Sequence, residues 1–479
     1  MTKKENTKAM NKKQILLIAL AAAGGLVGGI LCAGLVSGGV SFPSDKTNGG
    51  KTVLHAPAIA EHPSEKVEYD MVIKPQITSN IWYGEAAKAH EYLLSAKQKA
   101  GTAGGDYSDV SDALTGAITE LGSFSRYFEY IDKLSYETNG KKYGAYVEDG
   151  DSPIGGGLGY KDIKTRGDYN VRTLSELTDA LSKAKSGETV FIYGDAEINI
   201  SSIIENGGHL SVGAGVTLAS DRGRIRDDGT VSTGALIYST TLKSYTMNVG
   251  EGGRVTGITL KGGDPDNHLA HHFRSFSANP PRGNNYYYSL SSISIYGISC
   301  DGDNIEVDNC EIGGYAYAGV SLAIDVKDAH VHHCYIHHNQ GNGLGYGVVH
   351  GNGATSVIEY NLFNYNRHSI AATGKPTTGY IARFNIEMGA SLEHCFDMHG
   401  GSDRGDGTNI AGTYCEMYNN TFLVDTYPYW LRGVPEDHQT FYQNIVFNPV
   451  SFYDKSRLTN SKAKFYDNIF GIDKMTLVK

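Results

Sequence analysis

Residues 393–401 read EHCFDMHGG, alternating Phe396 and Met398 with Cys395, Asp397 and His399 before a glycine pair. A period of two is how a half-buried strand reads, with apolar residues inward and the others outward. Nine residues do not say whether the outward Asp397 and His399 form a chemical site or the wet face of one strand among many. The rest of the chain supplies the context.

Seven segments, NCEI, HCYI, YNLF, RFNIE, NNTF, QNIVF and DNIF, align on Cys310, Cys334, Asn361, Asn385, Asn420, Asn444 and Asn468. Their separations are 24, 27, 24, 35, 24 and 24 residues. A repeat of that length, alternating and rich in β-branched and aromatic residues, is one coil of a parallel β-helix. An Asn at the same corner of every coil can bond the coil above and the coil below, satisfying backbone groups that a buried turn would orphan. Cys310 and Cys334 at that register are expected to stack inward as small apolar fillers.

Downstream of the corners, YGVVHG, SIAATG, CFDMHG and PYWLRG align on Gly351, Gly374, Gly400 and Gly433. This register predicts inward pairs Gly347 and Val349, Ile370 and Ala372, Phe396 and Met398, and Tyr429 and Leu431. Strands stacked about 4.8 Å apart then present an outer column of His350, Thr373, His399 and Arg432. Val348, Ala371, Asp397 and Trp430 form a second column; Tyr346, Ser369, Cys395 and Pro428 form a third. Arg367 and His368 fall at the edge of the same face. A convergent ionisable patch on a rigid scaffold is where a site is expected.

The chain has 479 residues and a net charge of -10, which argues against nucleic acid as a partner. Its 60 glycines, without a collagen period, point to many tight turns, and its 32 tyrosines suit strands or sugar-facing surfaces. Lys12 and Lys13 precede an uncharged, largely apolar run over 14–44, long enough to span a bilayer with its basic flank inside. An uncleaved membrane anchor is expected, a cleaved signal peptide being the alternative, and either leaves the bulk of the chain outside the cytoplasm. Residues 45–80 read as a linker and 81–150 as a helical region with a Gly-rich connector. The β-helix is expected over 155–475, opening with a short amphipathic helix in TLSELTDALSKA and a strand in ETVFIYGDAEINI; no helix is expected after these. Cys32 lies in the apolar run; five other cysteines without a CxxC pair make zinc an unexpected ligand and buried free thiols the expectation.

The segment 155–200, the coil period and NRHSIAATG with HCFDMHGG resemble the pectin-lyase-like right-handed parallel β-helix superfamily over roughly residues 155–475. The resemblance implies an all-β solenoid of that hand. It also implies, for several members, a groove along one parallel sheet that takes acidic polysaccharides. The superfamily holds pectate lyases, polygalacturonases, alginate lyases and epimerases as well as non-catalytic phage and surface proteins, so fold does not settle reaction. Pectate lyases are known for calcium held by several Asp residues near an Arg base. The stripe here offers one Asp, so no cofactor is expected, with calcium the exception to test.

Lyase action on a uronate needs a cation to neutralise the carboxylate, a base for the α proton and an acid for the leaving oxygen. Arg432 is the expected cation and His399 the expected base, steadied by Asp397 two residues back on the same face. Tyr346, His350 or His368 is the expected acid, with Arg367 beside them, and Trp430 and Thr373 are expected substrate contacts. Hydrolysis would need two carboxylates about 5–9.5 Å apart. For that role, or for a calcium turn, Asp403 and Asp406 of SDRGDGTN are the loop candidates. The histidines of HLAHHF (268–273) and HVHHCYIHHN (330–339) read as corner and groove-wall residues rather than metal ligands, and the tyrosines at 286–288 as possible sugar platforms. The expected partner is an acidic polysaccharide; oligomeric state is not legible. The leading reading is an exported lyase, against a non-catalytic β-helix surface protein or a hydrolase of the same fold.

Overall fold

Each of the seven aligned corners is turned by a residue in the left-handed region: Asn309, His333, Tyr360, Phe384, Asn419, Gln443 and Asp467, with φ between 50° and 54°. None is glycine, so every corner holds a conformation that L-residues disfavour. The residue that follows offsets this. The backbone N–H of Cys334 donates to Asn361 Oδ1 at 2.9 Å. The same bond recurs from Asn361 to Asn385, Asn385 to Asn420, Asn420 to Asn444 and Asn444 to Asn468. Each Nδ2 from Asn361 onward also donates to a carbonyl of the preceding coil: Val331, Ile358, Ala382, Met417 and Phe441 in turn. The expected ladder is therefore present, and Cys310 and Cys334 are buried in it as free thiols.

The computed structural model describes residues 133–263, 296–448 and 462–478, with gaps at 149, 242–243, 342, 390, 425 and 472–475, together with positions 127 and 130. The expected anchor, the linker, most of the expected helical region, HLAHHF and the 286–288 tyrosines lie outside the described residues. The described strands belong to one of the chain's two compact units. They form three long sheets of eleven, eleven and eight strands, parallel except for Thr476–Val478 at one end. Successive coils add one strand to each sheet, which is the β-helix that the repeat predicts.

The core is built from ladders of like residues. Leu210, Met247, Ile298, Val320, Val348, Ile370, Phe396 and Tyr429 follow one another in register along the eight-stranded sheet, all buried. The opening helix runs Leu174–Lys183, N-capped by Thr173 in a capping box with Glu176, and it buries Leu177, Ala180 and Leu181. Two short helices depart from expectation, Ser201–Glu205 and Gly401–Arg404, each a single turn inside a loop.

Residues 135–144, within the expected helical region and connector, instead pair as an antiparallel hairpin, Ser135–Thr138 with Lys141–Gly144. Gly144 N–H donates to Gln443 O at 2.8 Å and Asn419 Nδ2 donates to Lys142 O at 2.8 Å, so the hairpin lies against the ladder corners. The connector continues along the same corners, with Gly155 N–H donating to Tyr360 O and Gly157 N–H to Asn309 Oδ1. Gly156 has φ +65°, and a Cβ there would meet His333 O at 2.3 Å, which explains glycine at this crossing.

The register of the site sheet corrects one strand. Tyr346–His350 pairs with His368–Ala372 so that Val348 lies beside Ile370 and His350 beside Ala372. The glycine alignment is therefore one residue out for this strand, while Gly374, Gly400 and Gly433 hold. A slip of one residue reverses the two faces. Val348 and His350 are fully buried and Val349 takes the outer position.

Candidate functional site

A second departure shapes the outer face. The amides of Ser369 and Ile370 both donate to Cys395 O, and those of Gly345 and Tyr346 both donate to Tyr317 O. Two residues opposing one is the mark of a β-bulge. Alternation fails there: Ser369 and Ile370 are both buried, as are Cys395 and Phe396. Ser369 and Cys395, expected outward, are consequently internal. The residues before them, His368 and His394, move onto the outer face instead.

The result is a continuous run of rings along the sheet. His209 stacks on Tyr245, and Tyr296, Tyr317, Tyr346, His368, His394 and Trp430 follow with centroid separations of 5.9, 4.8, 6.0, 5.9, 3.9 and 5.2 Å. Tyr427 meets Trp430 edge to face at 5.5 Å.

Beside the run stands Asp397, in an outer ladder otherwise filled by small or apolar residues such as Ser299, Ser321, Val349 and Ala371, with Trp430 next in register. Asp397 is fully buried because cations and imidazoles cover it. Arg432 Nε and Nη2 donate to its two oxygens, each at 3.0 Å. His399 Nε2 lies 2.9 Å from Oδ2 and His394 Nε2 lies 3.3 Å from Oδ1. Burial opposes ionisation of Asp397, but the hydrogen bonds from His394 and His399 outweigh it and hold the carboxyl well below the usual range. Burial keeps His394 neutral, against the pull of Asp397. His399 is the most open member, its side chain 30% exposed.

Arg432 Nη1 also donates to Asp403 Oδ1 at 3.2 Å, and Asp403 Oδ2 accepts from Gly400 N–H at 3.0 Å. Asp406 takes other partners, Arg404 Nε at 2.7 Å and the Thr408 hydroxyl at 2.7 Å. The two loop acids expected to act together are thus held apart by different ligands. Arg404 pins this loop by donating to Thr373 O and Ile410 O.

A cleft of about 780 Å³ opens over the cluster, walled among others by Arg367, Glu393, His394, Asp403, Trp430 and Arg432. Arg367 Nη2 pairs with Glu393 Oε2 at 3.0 Å. The structure therefore joins Asp397, His399, Arg432, Asp403, Trp430, Arg367 and His368 around one region, with Tyr346 one coil from His368 in the ring run. It removes His350, which points into the core, its Nδ1 donating to Ala371 O at 3.0 Å and its Nε2 2.6 Å from Ser356 Oγ. Thr373 keeps its outer register, but its hydroxyl is buried. His368 cannot serve as the acid: its Nδ1 proton is given to His394 O at 2.6 Å, and burial together with Arg367 holds it neutral.

Sequence reasoning missed His394, Glu393 and Tyr427. The first two stand at the head of EHCFDMHGG, and the double inward step of Cys395 and Phe396, both buried, is what a period-two pattern does not foresee. The histidines of 330–339 are absorbed locally: His330 and His332 contact Glu359 and Glu306, and His333 stacks on Tyr360.

No family model and no curated protein matches the chain. Among solved structures it is similar to an alginate lyase from Paenibacillus sp. str. FPU-7, at 16% identity and a TM-score of 0.40, covering 63% of this chain and 90% of that one. It is also similar to a Family 28 exopolygalacturonase from Yersinia enterocolitica, at 13% identity and a TM-score of 0.33, covering 62% of each chain. The likeness accords with the parallel β-helix seen in the strand order, and at these scores it carries nothing further.

Proposed function

We propose that the chain is a polysaccharide lyase acting by β-elimination on a uronate-containing glycan, held at the outer membrane face by residues 14–44. The observation that carries this reading is the convergence of Arg432, His394 and His399 on the buried Asp397 carboxylate beside a cleft. A fully buried carboxylate with three such partners is a fixed orienting group. Its contact at His399 Nε2 fixes the proton on that nitrogen, leaving Nδ1 as the base for the proton α to the carboxylate. Because Arg432 is engaged by Asp397 and Asp403, it contributes charge at the cleft wall rather than a vacant fork for the substrate. Tyr427, the phenol in the cleft lining, takes the acid role toward the leaving oxygen. The ring run extends the binding surface from the cleft along the sheet toward the earlier coils.

The test is to incubate the full chain, in detergent, with a panel of polyuronates and follow unsaturated-product absorbance. Product formation that is lost in His399→Ala and cut strongly in Tyr427→Phe is the expected result. New reducing ends without unsaturation would replace the reading with hydrolysis. Silence across the panel would make the β-helix a non-catalytic surface module.

A further inference from the structure

His368 Nε2 is a buried nitrogen without a hydrogen-bond partner. The ring is fully buried, and its Nδ1–H is fixed on His394 O at 2.6 Å, so Nε2 carries a lone pair. That lone pair faces Glu393 Oε2 at 3.5 Å. That oxygen is also paired with Arg367 Nη2 at 3.0 Å, while the Nε2 lone pair beside it is left without a donor.

His394 completes the arrangement. Its ring stacks on His368 of the preceding coil at 3.9 Å. A ligand atom from each of His368, Glu393 and His394 lies within 4.8 Å of the other two. A metal at about 2.0–2.2 Å from each ligand in a tetrahedron draws its ligand atoms to roughly 3.4 Å of one another, so small side-chain shifts close the site around an ion. A ligating histidine characteristically donates its other N–H to a carbonyl or carboxylate, as His368 does to His394 O and as His394 Nε2 is placed to do to Asp397.

We infer that His368, Glu393 and His394 form a binding site for a divalent transition-metal ion in the wall of the cleft. Two imidazoles and one carboxylate select zinc-like ions over calcium or magnesium, which favour all-oxygen shells. Glu393 and His394 both line the cleft, so the remaining coordination positions face the space a substrate would enter. Arg367 Nη2 pairs with Glu393 Oε2 and orients the carboxylate. A second cluster, Glu306, Asp308 and His332, meets the same distance condition, but Asp308 is already bonded by Arg254, Thr256 and Tyr160. Its atoms are satisfied, and it serves as the control. The metal's role in neutralising a uronate carboxylate, left open by the engagement of Arg432, rests on the lyase reading; its binding does not.

The experiment strips the full chain with a chelator and titrates Zn²⁺ by calorimetry and Co²⁺ by visible absorption. One tight equivalent of Zn²⁺, with Co²⁺ d–d bands, is expected. Because His368→Ala can unfold its coil, the decisive variant is Glu393→Gln, at a half-exposed position, which should weaken binding at least about tenfold. Glu306→Gln should leave it unchanged. Absence of binding, binding indifferent to Glu393→Gln, or binding lost in Glu306→Gln instead would each overturn the site. Zinc binding without polyuronate cleavage would overturn the lyase reading and leave the site standing.

Discussion

Asp397 and His350 show how little a residue's type says about its role until its face is known. Both sit in strands of one sheet, three residues from a turn or fewer. Asp397 is buried by its partners, and His350 by the core. For Asp397→Asn, Arg432 loses the charge at its two bonds to this carboxyl and keeps only Asp403, and stability should fall by about 3 kcal/mol in urea unfolding. The carboxyl lies below its unfolded value, so its stabilisation is present above about pH 4 and is lost as pH falls through the folded value; the variant should lack that acid limb. Burial pushes His350 down to about 4. Its native state therefore binds fewer protons than the unfolded chain, and stability drops as pH falls from about 6.5 toward 4, by about 3 kcal/mol at most. In His350→Leu that slope should flatten in pH-dependent melts, and the proposed lyase activity should be unaffected, because the residue is outside the cleft. The sequence places Asp397 and His399 correctly and His350 wrongly, for one reason: a strand has two faces, and a slip of one residue exchanges them.

At the scale of the element, the Asn ladder is the structural joint of every coil. Asn385 accepts from Asn361 N–H and donates to Ile358 O and Asn420 Oδ1. Asn385→Ala leaves a buried amide and a buried carbonyl without partners at a corner held by Phe384 in the left-handed region. The expected cost is roughly 3 kcal/mol, read as a lowered denaturant midpoint. The ladder was legible because each coil repeats the same chemistry at nearly the same spacing. The doubled inward step of Cys395 and Phe396 was not legible, because it consists of two residues that each suit a core. His394 and Glu393 reach the outer face only as its consequence.

Across the whole molecule, the ring run crosses strands from His209 to Trp430, far beyond the cleft. If it carries a glycan chain, truncating a distant ring should harm long substrates and spare short ones. Tyr317→Ala is expected to raise KM for a polymer by roughly 2–10-fold while leaving a short oligomer unchanged, measured by parallel kinetics on the two. Equal effects on both would show that the ring supports the sheet rather than the ligand.

The coil length, the corner asparagines, the inward ladders and the presence of a charged patch around Asp397 all follow from the order of residues along the chain. They are local or periodic properties, and a repeat states them many times over. Which histidines share that patch is a different matter. His368 and His394 stack, His350 turns inward, and Arg432 closes on two carboxylates because of strand register and a bulge. Both are set by how one coil's backbone bonds the next, a contact between residues more than twenty positions apart that no single segment contains.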